Sequence, residues 1–235
     1  MNKNIVQTAP SLATLPAEMR ANMGRLQEQN PGWKYVFFDT RGSLELIRAA
    51  GFDVDILNQR YGAMIADLVR YAAVFELGGV YLDIKASCVT SLDDLARYPS
   101  PVVARWPPHV TKGVLSYVGS ACRASRGELV QWFFYAEQGC QFLAAVIDEV
   151  KARLSAYDLA RDGVGKPAAL RVTGPGPFTD VAIRQGLYDA SHVYQRHGMR
   201  YTIYDSITGH YDLLGSVHYS KLQDPLVLRH QFVEA

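Results

Sequence analysis

Asp67-Leu68-Val69-Arg70-Tyr71-Ala72-Ala73-Val74-Phe75-Glu76-Leu77-Gly78-Gly79-Val80-Tyr81-Leu82-Asp83-Ile84-Lys85 is the stretch whose reading decides the fold. Its first part continues a helix running from about Gly62 to Leu77, in which Ile65, Leu68, Val69, Ala72 and Phe75 recur at helical spacing as an apolar stripe. Gly78-Gly79 closes that helix, and Val80 to Ile84 reads as a short strand carrying an acidic residue, Asp83, to its exposed end.

Upstream, Asn4 to Thr8 reads as a first strand and Pro16 to about Gln29 as a helix, with Met19, Met23 and Leu26 on one face and Asn30-Pro31-Gly32 as its stop. Trp33 to Asp39 is an aromatic and β-branched run, a buried strand ending in a carboxylate, and Ser43 to Ala50 is a short helix ended by Gly51. Strand, helix, strand, helix, strand is the pattern of an α/β sheet of mostly parallel strands flanked by helices. Downstream, Pro101 to Trp106 and Leu129 to Tyr135 read as strands and Gln141 to Leu154 as a helix. Asp93-Asp94 opens a helix from Leu92 to Tyr98. Thr173-Gly174-Pro175-Gly176-Pro177 is a rigid loop opening a helix near Phe178 to Arg184, and the Tyr- and His-rich run from Tyr194 to Tyr219 suggests short strands and loops.

No repeat, low-complexity tract or linker divides the 235 residues, so one domain over 1–235 is expected, and a chain of that size buries about 70–75% of its unfolded surface. A 49% hydrophobic and 20% charged composition disfavours disorder, and no apolar run approaches the roughly 20 residues a bilayer requires. With 24 basic and 23 acidic side chains the net charge is +1, so no nucleic-acid partner is expected and any anion site is local. Met1 to Thr8 has no apolar signal core, which points to the cytoplasm and leaves peripheral association with the inner face of the membrane open. Cys88, Cys122 and Cys140 show no CxxC pairing and read as reduced thiols, Cys88 as a small buried residue.

Alternation along a strand points Val80, Leu82 and Ile84 to one side and Tyr81, Asp83 and Lys85 to the other, so a carboxylate and an ammonium share one open face. On the preceding helix, Asp67, Arg70 and Tyr71 are spaced three and four apart on one side. Sheets of this class bind ligands beyond the carboxyl ends of their strands, which is where Asp83 and Lys85 fall.

Asp-x-x-Arg-Tyr followed by Gly-Gly-x-Tyr-Leu-Asp resembles the sugar-binding region of the DXD glycosyltransferases of the GT-A fold, most of all family 32, a group of mannosyltransferases and bacterial capsule enzymes. Val6-Gln7-Thr8 is similar to that family's first-strand segment, Asn30-Pro31 with Trp33-Lys34-Tyr35 to its entry into the second strand, Thr173-Gly174-Pro175 to its Thr-Gly-Pro loop, and His218-Tyr219-Ser220 to a late His-containing motif. The likeness covers roughly residues 4–90 with good specificity and the rest at the level of motifs.

The resemblance implies a Rossmann-like GT-A domain and a transferase taking sugar from a UDP- or GDP-sugar to a saccharide or lipid-linked saccharide acceptor, with retention of configuration. By position it implies that Asp67 and Arg70 bond the donor sugar and that Asp83 serves the ribose and a divalent cation, manganese or magnesium. His218 reaches the same cation or the diphosphate, Gln7 and Thr8 lie near the base, and Gly79 and Tyr71 complete the donor site. Arg70, Asp83 and Lys85 are the catalytic candidates. The sequence departs from the family pattern at Lys85, which stands where the second Asp of the motif would ligate metal. That removes one hard oxygen ligand and supplies a charge able to neutralise the diphosphate directly. Pro10 and Ser11 stand where relatives carry an aromatic residue.

Each of these residues also has a plainer reading. Asp67 and Arg70 can be a surface helix pair worth about 0.2–0.5 kcal/mol, Gly78-Gly79 a helix cap, His218 a satisfied histidine, and Tyr71, Tyr81 and Trp33 core aromatics. Rival functions are an Asp83-nucleophile phosphohydrolase, which normally needs a second Asp where Lys85 stands, a non-catalytic sugar-nucleotide-binding module, and a transferase with a protein acceptor.

Overall fold

The computed structural model describes residues 2–107, 128–204 and 219–228. Six strands form the central sheet in the order β2 (Lys34–Phe38), β1 (Asn4–Thr8), β3 (Gly79–Leu82), β6 (Leu129–Ala136), β5 (Val102–Arg105), β7 (His192–Val193). β1 runs parallel to β2 and β3, and β5 parallel to β7, while β6 is antiparallel to both its neighbours. Five strands therefore point one way and β6 alone runs back. A small antiparallel pair, β4 (Ser87–Cys88) with β8 (Met199–Arg200), lies beyond β3. The protein is a mixed α/β fold with a mostly parallel sheet between layers of helix, as the strand–helix alternation leads one to expect.

Helices cover both faces. On one lie α2 (Thr40–Ala49), α3 (Gly62–Leu77), α4 (Gln141–Ser155), the single turn α5 (Leu159–Asp162), α6 (Gly165–Val172) and α7 (Pro175–Arg184), closing over Val6, Tyr81 and Phe134, with Phe178 of α7 packed among them. On the other, α1 (Ala17–Gln29), a 3-10 turn at Leu92–Arg97 and β8 close over Ile5, Val80, Leu82 and Phe133. Val80 and Leu82 face one layer and Tyr81 the other, as alternation requires, but both faces of β3 are buried. α3 is likewise buried all round its middle, from Asp67 to Val74, rather than along the stripe its apolar spacing suggests. A helix packed on a sheet and overlaid by α2 and α4 has no wet side there.

Other boundaries moved for local reasons. Asp39 is not the last residue of a strand but the cap of α2, its carboxylate accepting from the Gly42 amide at 2.8 Å, so the helix begins at Thr40 rather than Ser43. The Leu92–Tyr98 helix is a 3-10 turn capped by Ser91. α7 starts at Pro175, since proline at the first helical position gives up no hydrogen bond.

The Gly78-Gly79 pair is a steric requirement of the helix-to-strand junction. Gly78 ends α3 at φ +63°, and Gly79 starts β3 at φ +114° with its Cα so near β1 that a Cβ would stand 2.3 Å from the Asn4 carbonyl oxygen. The Asn4 side-chain Nδ2 in turn donates to the carbonyls of Leu77 at 2.9 Å and Gly78 at 3.1 Å. Only glycine combines that dihedral angle with that approach. Gly79→Ala is expected to destabilise the fold by about 2–4 kcal/mol, from an unfavourable φ plus overpacking against main chain. Urea unfolding checks this, and a loss under about 1 kcal/mol would contradict it.

Candidate functional site

β1 and β3 end side by side, and beyond them opens a cleft of about 660 Å³. Thr8, Asp67, Arg70, Asp83, Lys85 and Glu128 all line it. A volume of this size lies within the range of sites that enclose small organic ligands, and its position past the carboxyl ends of parallel strands is where this class of sheet binds them.

The centre of the site is a buried ion network. Arg70, 5% exposed, comes off α3 with Nη2 at 3.3 Å from both Asp67 Oδ1 and Asp83 Oδ1. Its Nε donates to the Ala66 carbonyl at 3.1 Å and Nη1 to the Gln131 carbonyl on β6 at 3.0 Å, while its Cζ lies 4.8 Å from the Tyr81 ring centroid. Asp67 accepts from Gln131 Nε2 at 2.8 Å on Oδ1 and from Thr173 Oγ1 at 2.9 Å on Oδ2. Asp83 accepts from the Tyr81 hydroxyl at 3.0 Å on Oδ1 and from Lys85 Nζ at 2.9 Å on Oδ2. Lys85 is itself 8% exposed, its Nζ 4.6 Å from the Tyr201 ring centroid and its carbonyl accepting from the Ile203 amide at 2.9 Å.

These surroundings set the charges. Burial raises the Asp83 carboxyl, but the charges of Lys85 and Arg70 with the hydrogen bonds from Lys85 and Tyr81 outweigh it and hold the group below its ordinary value, hence ionised. Burial pushes Asp67 up to about 6 despite Arg70, Thr173 and Gln131. Burial opposes the Arg70 charge too, yet Tyr81, Asp83 and Asp67 keep its pKa above the usual guanidinium value.

The expected site residues separate into two groups. Asp67, Arg70, Asp83, Lys85 and Thr8 meet at the cleft, Thr8 with its hydroxyl donating to the Phe38 carbonyl at 2.8 Å. Asp67 and Arg70 are not a surface pair, and the face shared by Asp83 and Lys85 is largely covered. Gln7, Gly79 and Tyr71 stand behind the cleft. Gln7 is wholly buried, accepting from the Tyr35 hydroxyl at 2.5 Å and donating to the Asp83 carbonyl at 3.1 Å, so it fixes the main chain of Asp83. Tyr71 is wholly buried in the core, its hydroxyl against Gln131 Oε1 and the carbonyls of Thr173 and Gly174, the last two at 3.1 Å. Gly79 is the junction residue described above. The Thr-Gly-Pro loop enters through Thr173, which holds Asp67. His218 lies outside the described residues.

Three features had no clear signal in the sequence. Gln131 ties β6 to Asp67. Trp106, Trp132 and Tyr201 form an aromatic wall beside Lys85, with Tyr201 at 5.1 Å from Trp106 and 5.3 Å from Trp132, ring centre to ring centre. Glu128, 4% exposed, has an Oε2 with no hydrogen-bond partner among the described residues, and burial pushes its carboxyl up to about 8, offset only in part by the Lys166 charge and a hydrogen bond from Trp106. An acid one residue ahead of an apolar strand gives no hint of such burial, and the aromatic residues come from three separated segments.

Residues 16–101 match the family described as "Glycosyltransferase sugar-binding region containing DXD motif". Over 90 residues the chain is 29% identical to the Inositol phosphoceramide mannosyltransferase 3 of Schizosaccharomyces pombe, covering 37% of this chain and 25% of that protein. Over 106 residues it is 26% identical to the Mannosyl phosphorylinositol ceramide synthase SUR1 of Saccharomyces cerevisiae, covering 44% and 28%. The match thus spans about a quarter of the length of these curated relatives. A solved structure, PaToxG Glycosyltransferase, superposes with a TM-score of 0.52 at 11% identity over 92% of this chain and 79% of its own, a likeness of fold.

A DXD motif is the element through which such glycosyltransferases generally hold a divalent cation. The described residues here do not fit one. No three His, Cys, Asp or Glu side chains cluster among them, Lys85 replaces the second carboxylate, and both Asp83 oxygens already accept from cationic or hydroxyl donors.

Because the native Glu128 carboxyl titrates above its unfolded value of about 4.3, the folded protein keeps a proton that the unfolded chain loses. The stability this contributes is complete below about pH 4 and is lost as pH rises through about 8. Between pH 6 and 9 the protein is expected to lose about 2–3 kcal/mol more than Glu128→Gln does, read from urea unfolding at both pH values. Identical losses in the two proteins would contradict the assignment.

Proposed function

We propose that the protein is a glycosyltransferase that binds a nucleotide sugar in this cleft and passes its sugar to a saccharide or lipid-linked saccharide. The observation that carries this reading is the convergence of Asp67, Arg70, Asp83 and Lys85 on one cleft past the ends of β1 and β3. The family match over residues 16–101 supports it, because that region contains α3, the glycine junction and Asp83. Placement in family 32 is part of the proposal, resting on the motifs around Gln7, Asn30, Asp67, Asp83 and Thr173.

In the proposed reaction the bond between the sugar's anomeric carbon and the β-phosphate oxygen breaks while an acceptor hydroxyl oxygen bonds to the same carbon. Negative charge grows on the departing diphosphate, and fixed positive charge held in a site screened from water stabilises it more than it stabilises the bound donor. Lys85 and Arg70 are the buried cations at hand, and Arg60 and Lys166 also line the cleft. With attack from the face that the leaving group vacates, configuration is retained and the diphosphate takes up the acceptor's proton. Asp83, ionised and held by its neighbours, is suited to accept from ribose or sugar hydroxyls. Asp67 Oδ2 retains a lone pair beyond the bond it accepts from Thr173, while Oδ1 is taken by Gln131 and Arg70. The aromatic wall offers a flat apolar surface for a base or a sugar face.

The names of the two yeast relatives make GDP-mannose the first donor to try, with UDP-glucose and UDP-N-acetylglucosamine beside it, and favour a glycolipid acceptor. Donor binding is followed by thermal shift, and slow donor hydrolysis by release of the nucleoside diphosphate. The wild-type protein is expected to bind and hydrolyse at least one donor, and Asp83→Asn to lower that hydrolysis by about 100-fold with its unfolding still cooperative. Neither binding nor hydrolysis with any UDP- or GDP-sugar, with or without manganese, would overturn the reading.

A further inference from the structure

Resting on that reading, we propose that the Lys85 ammonium takes the place of the divalent cation, so that this protein turns over its donor without a metal ion.

The first support is positional. Position 85 is two residues beyond Asp83, where the DXD pattern has its second acid, and Lys85 Nζ stands 2.9 Å from Asp83 Oδ2 in the cleft. A divalent cation using Asp83 would have to bind the oxygen that Lys85 holds, while Oδ1 is held by Tyr81 and Arg70. Magnesium or manganese wants about six oxygen ligands close to octahedral, whereas of the described carboxylates on the cleft Asp67 and Asp83 are already engaged by Arg70 and Lys85 and burial pushes Glu128 towards its neutral form.

The second support is charge. Asp67 and Asp83 face Arg70 and Lys85, so the network is neutral when all four are ionised. An aspartate in place of Lys85 would leave it two charges negative, the deficit a divalent ion fills. With lysine the four side chains carry no deficit of their own, so the protein itself does not draw in a divalent ion and only the anionic diphosphate of the donor is left to attract one.

The third support is rigidity. Stabilising a leaving group needs a charge already in place, because reorienting a mobile lysine during the reaction costs what fixed electrostatics saves. Lys85 is nearly buried, its main chain is bound to Ile203, and its ammonium sits between Asp83 and the Tyr201 ring. An ammonium so placed is a compact point charge suited to a diphosphate oxygen.

Donor hydrolysis is measured on the full chain with GDP-mannose, UDP-glucose and UDP-N-acetylglucosamine, in excess EDTA and in manganese. The wild-type rate is expected to agree within about twofold in the two media, Lys85→Ala to lose about 100-fold in EDTA, and Lys85→Asp to hydrolyse donor only with manganese. Manganese electron paramagnetic resonance gives a second reading: GDP or UDP with the wild-type protein leaves the signal as that of manganese and nucleotide alone, whereas Lys85→Asp depletes it. If Lys85→Asp fails to fold, Lys85→Ala and the wild-type resonance still decide. A wild-type rate that falls more than tenfold in EDTA and returns with manganese overturns the inference and leaves a metal-dependent glycosyltransferase standing. No donor turned over in either medium overturns the glycosyltransferase reading and this inference with it.

Discussion

Everything near the cleft is arranged around one buried guanidinium. A charge as enclosed as Arg70 is tolerable only when every donor finds an acceptor, and its partners come from three places: Asp67 on the same helix, Asp83 at the end of β3, and the Gln131 carbonyl on β6. That demand fixes the height of α3 over the sheet and binds the antiparallel strand to the parallel half. It also explains why the next layer is polar inside an otherwise apolar core. Gln131 and Thr173 satisfy Asp67, Tyr81 and Lys85 satisfy Asp83, and Tyr71 reaches Gln131 and the Thr173-Gly174 main chain. Removing one member strands the others in a poorly solvated place, so the network acts as a unit.

Strong local signals stand in the sequence itself. The bounds of β1 and α3 follow from a β-branched run and from sixteen residues between a turn and paired glycines. The joint spacing of Asp67, Arg70, Asp83 and Lys85 announced a shared site, because helical and strand periods are fixed by backbone geometry. Roles were harder to read than positions. Gln7, Gly79 and Tyr71 lie within motifs of the resemblance, yet each is enclosed, serving the Asp83 carbonyl, the β1–β3 approach and the Thr173 loop. A motif records that residue types are needed and not whether they face a ligand or the scaffold behind it. Glu128 and the aromatic wall were silent for another reason: burial by distant segments leaves no periodic trace at the residue being buried.

The division of the likeness matches the division of the structure. The family region at residues 16–101 takes in α1, β2, α2, α3 and β3, hence Asp67, Arg70, Asp83 and Lys85. The other wall of the cleft, with Glu128, Trp132, Lys166, Tyr201 and Tyr219, lies beyond it. The proposed function accounts for this division if the first part holds the donor and the second meets the acceptor.

The sheet order also governs the sequence of events during synthesis. β2, β1 and β3 can pair once residue 82 has left the ribosome, but β3 then has a bare edge until β6 arrives about fifty residues later. The middle of the sheet therefore waits on a long-range closure, and an emerging chain carries an unpaired strand and a half-covered α3 for several seconds at ordinary elongation rates of about 5–20 residues per second. The Arg70 guanidinium belongs to that waiting edge, because its acceptor on Gln131 has not yet been made. Until that closure the nascent chain exposes a strand edge open to pairing with other chains.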